Sequence, residues 1–316
     1  MRAAPLALIL ATALAAAPGA AAPGPGWTLA WSDEFEGHAL DPAKWTLARD
    51  CWGGGNAEQQ CYTDRAANSA VKDGMLLITA RRERFTGPAL PADQQAAAGN
   101  HRRATRPFTS ARLTTGGHAA WRYGRIEVRA RLPQGQGTWP AIWMLPEDGR
   151  VGAWAASGEI DIMEAVNLGE ACRAGEPGCQ GALEHGVLGT LHFGGVAPAN
   201  VHRGATTAMP APLGGFHVYG VDWSPEAIVW SIDGAAYETQ RPGDWWTSGT
   251  SKPGAPFDQP FHLILNLAIG GHLPEGRNRG GVALGGFPKV MAVDWVRVWQ
   301  HCDDTASKAA CPKTKG

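Results

Sequence analysis

Hydrophobic and polar residues alternate with a period of two through much of this chain. From 125 to 132 the even positions are Ile126, Val128, Ala130 and Leu132 and the odd ones are charged, which predicts a strand with its even positions buried. Residues 71–78 and 228–234 carry Asp-Gly beside apolar runs, the signature of strands joined by tight hairpin turns. Long amphipathic helical patterns are hard to find, Gly (42) and Pro (23) are abundant and charged residues make up only 18%, so the expected class is all-β. No internal repeat and no second composition regime interrupts the pattern, which leaves one domain over 23–300. Residues 86–105, rich in Pro, Ala, Gln and Arg, read as a long surface insertion.

The ends of the chain read differently. Residues 1–22 join a basic start, an Ala/Leu run and small residues, the pattern of a secretory signal whose apolar stretch is too short to span a bilayer comfortably. Residues 301–316 form a polar tail. The six cysteines fall into three local couples, Cys51 with Cys61, Cys172 with Cys179 and Cys302 with Cys311. Local disulfides in an oxidising compartment are the simplest pairing, and the spacings lack the two-residue interval of a zinc knuckle. A net charge of −1 gives no electrostatic reason to expect nucleic acid or an anionic membrane as partner.

Candidate chemistry sits at 159–164, where Glu159, Asp161 and Glu164 interrupt an apolar run. Strict alternation puts Glu159 and Asp161 on one strand face and Glu164 on the other. One extra residue, a β-bulge at Ile162-Met163, brings Glu164 back beside the other acids, and bulges are over-represented next to active sites. The two glutamate backbones would then stand on the order of 13–15 Å apart, close enough for side chains leaning inward to reach ~5–6 Å. That is near the separation at which one carboxylate attacks a sugar and the other protonates the leaving oxygen, so the spacing predicts a retaining glycosidase. Asp161 would help keep a proton on its neighbour through like-charge repulsion. A solvated acidic strand face and a carboxylate metal cage are the competing readings.

With these residues in view, Gly158 to Glu164 resembles the active-site strand of glycoside hydrolase family 16, in the bulged form of its laminarinase-like members. The likeness covers nearly the whole chain beyond residue 22. Trp31-Ser32-Asp33-Glu34-Phe35, Tyr123-Gly124-Arg125-Ile126-Glu127 and Trp139-Pro140-Ala141-Ile142-Trp143-Met144-Leu145 match upstream. Gly189-Thr190-Leu191-His192-Phe193 and Leu263-Ile264-Leu265-Asn266-Leu267-Ala268-Ile269-Gly270-Gly271 match downstream. The resemblance implies a β-jelly roll, a sandwich of two antiparallel sheets with a concave substrate cleft. It implies an endo-acting enzyme on β-1,3-glucan or mixed-linkage β-1,3-1,4-glucan that needs no cofactor for catalysis and no partner chain, and so works as a monomer. An agar-like galactan as substrate, or a non-catalytic β-glucan recognition protein, are the alternatives.

The same resemblance gives Glu159 as nucleophile, Glu164 as acid/base and Asp161 as the assisting carboxylate. It favours a cleft position for Trp139 or Trp143, which lie four apart on one strand face and otherwise read as core. It sets His192 near the acid/base, where a lone histidine alone would read as structural. Asn56, from a stretch similar to the family's Gly-Asn-Asn-Glu segment, is a sugar contact. Arg81 and Asn266 are further candidates, for which strand-end solvation and backbone capping are the alternatives. Glu34, Gly74 and Asp294 match the places of a structural calcium, with three unrelated surface groups as the other reading. One departure bears on substrate: His272-Leu273 stands where laminarinase-like sequences typically show Asn-Trp.

Overall fold

The computed structural model describes residues 23–99 and 101–301. The expected leader and the Cys302–Cys311 couple lie outside the described residues. The alternation at 125–132 is realised as a strand at Gly124–Arg131, with Ile126, Val128 and Ala130 fully buried. Both Asp-Gly pairs make hairpin turns. Lys72 pairs with Met75 across Asp73 (φ 53°) and Gly74 (φ 72°), and Ile232 with Ala235 across Asp233 (φ 51°) and Gly234 (φ 78°). Positive φ at both central residues matches the right-handed twist of the strands that the turn joins.

The strands form two large sheets of ten and seven members, packed as the jelly roll that the resemblance implied, and a small two-stranded lobe. The seven-stranded sheet runs in the order Asn200–Ala208, Gly186–Gly194, Glu159–Ala165, Thr138–Pro146, Phe261–Ile269, Arg112–Thr114 and Thr46–Leu47. Pairing is antiparallel throughout this sheet. In the other, Gln60–Tyr62 runs parallel to Phe108–Ser110, because a long excursion rather than a hairpin connects them. Between the sheets lie Ile126, Val128 and Trp230 from one side and Ile160, Leu263 and Leu265 from the other, all with essentially no exposure. Each such side chain stabilises the fold by ~1.5–3 kcal/mol through burial.

The 86–105 segment lies at the surface as expected, and it is an ordered hairpin. The strand Met75–Pro88 continues into it, and Thr86 pairs with Thr105 on the returning strand Arg103–Ser110, their hydroxyls 2.7 Å apart. A short helix, Ala92–Ala98, occupies the turn and ends on Gly99 at φ 57°. Runs of Thr and Arg on both arms favour an extended ladder, while the Ala-rich tip favours helix. Cys51–Cys61 and Cys172–Cys179 are disulfide-bonded as nearest neighbours. The second bond staples the lobe made by Cys179–Gln180 and Leu183–Glu184.

Candidate active site

The bulge lies where the acid spacing required it. Against the strand Gly186–Gly194, Asp161 faces Thr190 and Glu164 faces Leu188, so three residue steps on one strand match two on the other. Against Thr138–Pro146 the same slip falls between Asp161 and Met163. Ile162 and Met163 both bury, and Glu164 returns to the side of Glu159 and Asp161. The backbone at the slip is held from the opposite sheet, where the indole of the fully buried Trp230 donates to the Asp161 carbonyl at 2.8 Å. Room for that indole comes from Gly189: a Cβ there would meet Trp230 Cδ1 and the Tyr237 hydroxyl at 2.5 Å.

Each glutamate accepts a hydrogen bond from a tryptophan. Trp154 Nε1 donates to Glu159 Oε2 at 2.7 Å, and Trp139 Nε1 donates to Glu164 Oε1 at 2.9 Å. His192 stands directly across the ladder from Glu159, with Nε2 3.2 Å from Asp161 Oδ2 and 3.9 Å from Glu159 Oε1. Trp143 Nε1 donates to Asn266 Oδ1 at 2.7 Å, and the Arg112 guanidinium lies over the Trp143 ring at 4.8 Å. Asn266 Nδ2 in turn donates to the Tyr62 hydroxyl, which donates to the buried Glu58. Asn56 Nδ2 reaches the other oxygen of Glu58 at 3.4 Å. Three adjacent strands and one loop thus furnish a single depression lined by both glutamates, Asp161, Trp139, Trp143 and Asn266.

Proton affinities in the depression are pushed apart from ordinary values. Burial raises Glu159, while His192 and the Trp154 N–H favour its charged form. Burial and the neighbouring Asp161 charge push Glu164 up to about 7. Asp161 is raised by burial and by Glu159. For His192 burial acts downward, but hydrogen bonding and attraction to Asp161, then to Glu159, carry it up to about 9. The site therefore sets an imidazolium against three acids, of which Asp161 and Glu164 are both pushed up to about 7 and titrate as a linked pair. A nucleophile and a proton donor on one wall are what two-step glycosidic cleavage requires.

Glu159, Asp161 and His192 also present donor atoms within 4.8 Å of one another, the geometry of a cation site. The imidazolium of His192 supplies one positive charge against the same carboxylates.

Most predicted positions converge here, and three sets of residues modify the picture. Arg81 does not join them: its neighbour Ala80 is fully buried, so alternation turns Arg81 to the outer face of the ten-stranded sheet, 3.9 Å from Glu83. For the calcium set, register brings Glu34, Gly74 and Asp294 to the same short stretch of the strand Lys289–His301. The two carboxylates there are engaged by guanidinium groups, Glu34 by Arg297 at 2.8 Å and Asp294 by Arg129. Arg297 holds both oxygens of Glu34, whereas Arg129 takes only Oδ2 of Asp294. The third set is residues not anticipated. Trp154 is 45% exposed and held at φ 39°, on a short 3-10 turn of Ala and Ser just before Glu159; its position five residues ahead of Glu159 was the available signal. Glu58 sat in the Gly-Asn-Ala-Glu stretch, and Arg112 gave no sign in the sequence. His272 opens a one-turn helix, His272–Glu275, exposed beside the depression, its N–H donating to the Asn56 carbonyl at 2.9 Å.

A sheet sandwich carrying this pair of carboxylates defines an endo-acting glycoside hydrolase. The chain belongs to glycosyl hydrolases family 16, whose sequence profile matches residues 57–297. It is 39% identical over 289 residues to a beta-glucanase of Rhodothermus marinus, covering 87% of this chain and 86% of that one. To glucan endo-1,3-beta-glucosidase A1 of Niallia circulans it is 38% identical over 288 residues, 87% of this chain but only 38% of that longer protein. Among solved structures, the laminarinase of Rhodothermus marinus superposes with a TM-score of 0.70 at 39% identity, covering 88% of this chain and 98% of that one.

Proposed function

We propose that this protein is a secreted, retaining endo-β-glucanase that cleaves internal bonds of β-1,3-glucan, and of mixed-linkage β-1,3-1,4-glucan, by double displacement. The observation that carries this reading is the bulge that sets Glu159 and Glu164 on one wall, each with its own tryptophan donor. Glu159, ionised and steadied by Trp154 and His192, attacks the anomeric carbon. Glu164, kept protonated by burial and by Asp161, gives its proton to the departing oxygen. A glycosyl ester on Glu159 results. Water then attacks that carbon as Glu164 takes back a proton, and retention follows from two inversions. Trp139 and Trp143 offer ring area to the sugar faces, and Asn56, Asn266 and His192 supply polar contacts.

No metal enters these steps. Calcium at Glu34, Gly74 and Asp294 is proposed as structural only, since two carboxylates and a turn carbonyl are hard oxygen donors. Two disulfides and the leader-like start support secretion, and an open cleft needs no partner subunit.

The test is product chemistry on laminarin. Glu159→Ala and Glu164→Ala should each lower kcat by at least about 10³-fold. Added azide should restore turnover of Glu159→Ala on an activated substrate with an α-glycosyl azide product. Rescue of Glu164→Ala by azide ion with the α-glycosyl azide as product would reverse the two roles, and release from agarose but not laminarin would change the polymer. Binding of laminarin without release of reducing ends would leave only a recognition protein.

A further inference from the structure

The hairpin that contains residues 86–105 leaves its sheet at Ala80, where the strand Met75–Pro88 stops pairing with Lys289–His301. Beyond that point its ladder partner among the described residues is Arg103–Ser110, from Arg81 opposite Thr109 to Pro88 opposite Arg103. The result is a two-stranded arm roughly 20 Å long. From Arg81 to Arg106 the sequence carries six arginines, no lysine and two acids, Glu83 and Asp93, an excess of four positive charges in a protein whose net charge is −1. Arg81, Arg82, Arg84, Arg102 and Arg103 are exposed and Arg106 is half-buried. Glu83 is already shared by Arg65 and Arg81. Arg82, Arg103 and Arg106 instead donate to backbone carbonyls, of Leu284 at 3.3 Å, Thr86 at 2.6 Å and Cys51 at 3.1 Å. A carbonyl holds a guanidinium in place but leaves its full charge unmatched. Arg84 makes no ion pair among the described residues. Arg82, Arg84 and Arg106 line one open groove of about 410 Å³ with Thr105.

Like charges crowded on neighbouring strands repel, so this arm is least favourable when bare and gains from a covering anion. Its guanidinium groups are spread along both strands rather than turned toward one point. A single small anion meets few of them, whereas a linear polyanion meets several. Planar forks suit carboxylates, which accept two parallel N–H bonds. Nucleic acid would use an open ring to stack on, but Phe85 is half-buried with the Arg65 guanidinium over its face at 4.9 Å. A lipid surface would use an apolar wedge, but the helix at the tip reads Ala-Asp-Gln-Gln-Ala-Ala-Ala. We propose that the arm is a docking surface for an acidic polysaccharide, a linear polymer of the uronate kind held through its carboxylates. The root of the arm joins it to the depression that holds Glu159 and Glu164. There Gln60–Tyr62 pairs with Phe108–Ser110, and the Tyr62 hydroxyl donates to Glu58, which lines that depression. A polymer on the arm therefore keeps the protein, with its depression still open, inside a matrix that contains the polymer.

The test reads binding without turnover, so its outcome is independent of the β-glucan activity. The full chain is passed over immobilised polygalacturonate, and affinity is followed as salt is raised. Wild type should bind at low salt and elute as the added ions screen the contacts. Arg82→Gln/Arg84→Gln/Arg103→Gln should bind about ten-fold more weakly at low salt, with its near-ultraviolet circular dichroism unchanged. The corresponding triple lysine variant, which keeps charge but not the planar fork, should recover only part. Arg84→Gln alone breaks no internal ion pair and should already elute at lower salt, which decides the matter if the triple variant does not fold. Wild type that passes unbound, glutamine variants retained as strongly as wild type, or equal retention on fully methyl-esterified pectin would each overturn the proposal. Binding to duplex DNA or to phosphatidylglycerol vesicles as tight as to polygalacturonate, at equal concentration of charge, would overturn it too, by making the arm a general anion surface.

Discussion

At the scale of single residues, the proposed double displacement depends on keeping two similar carboxyl groups in different protonation states. Glu159 must be ionised, and the nearby imidazolium lowers the cost of that charge in a buried place. Removing it, as in His192→Asn, should raise the Glu159 pKa, so the acid limb of the kcat/KM profile moves to higher pH. The basic limb follows Glu164: activity should fall as pH rises through about 7, where the proton needed by the leaving oxygen is lost. A pH profile of wild type and His192→Asn on laminarin checks both limbs. An acid limb that stays in place would show that His192 does not set the charge of the nucleophile.

Among elements, the bulged strand depends on contacts made outside its own sheet. Trp230 crosses from the opposite sheet to the Asp161 carbonyl, and Gly189 leaves it the space. Trp230→Phe should destabilise the fold by about 1–2 kcal/mol, the net worth of a buried hydrogen bond, and lower kcat more than it changes KM, because Glu164 follows the backbone at the slip. Urea unfolding together with laminarin kinetics measures the two effects; a stability loss with kcat intact would separate the indole from catalysis. The bulge itself was legible in the sequence, since three acids in an apolar run are placed together only by an extra residue. The indole that secures it was not. A tryptophan in an alternating strand reads as core, and nothing in local spacing says which carbonyl it meets across the sandwich. The 86–105 insertion was legible but its pairing was not, for a related reason: Thr86 and Thr105 pair across a gap whose composition carries no strand pattern. Arg81 shows the converse, because its strand was recognisable while the face it occupies depended on which neighbours bury.

For the whole molecule, stability is set by the two-sheet core and by what ties its corners. At the corner of Glu34, Gly74 and Asp294, arginine pairs already neutralise the carboxylates. Calcium binding there should raise the melting temperature relative to a chelator-treated sample by a few degrees, through preference for the folded state, with laminarin kinetics at 25 °C unchanged. A melting temperature indifferent to calcium would remove the site and leave the arginines as its replacement. The slot under Trp230 has a further consequence for how the protein fails on heating. In many enzymes the active site sits on loops that loosen before the core, and activity fades ahead of unfolding. Here Glu164 hangs from a backbone step clamped within the core, so little of the wall it shares with Glu159 can melt alone. Thermal inactivation and loss of near-ultraviolet circular dichroism are therefore expected to coincide.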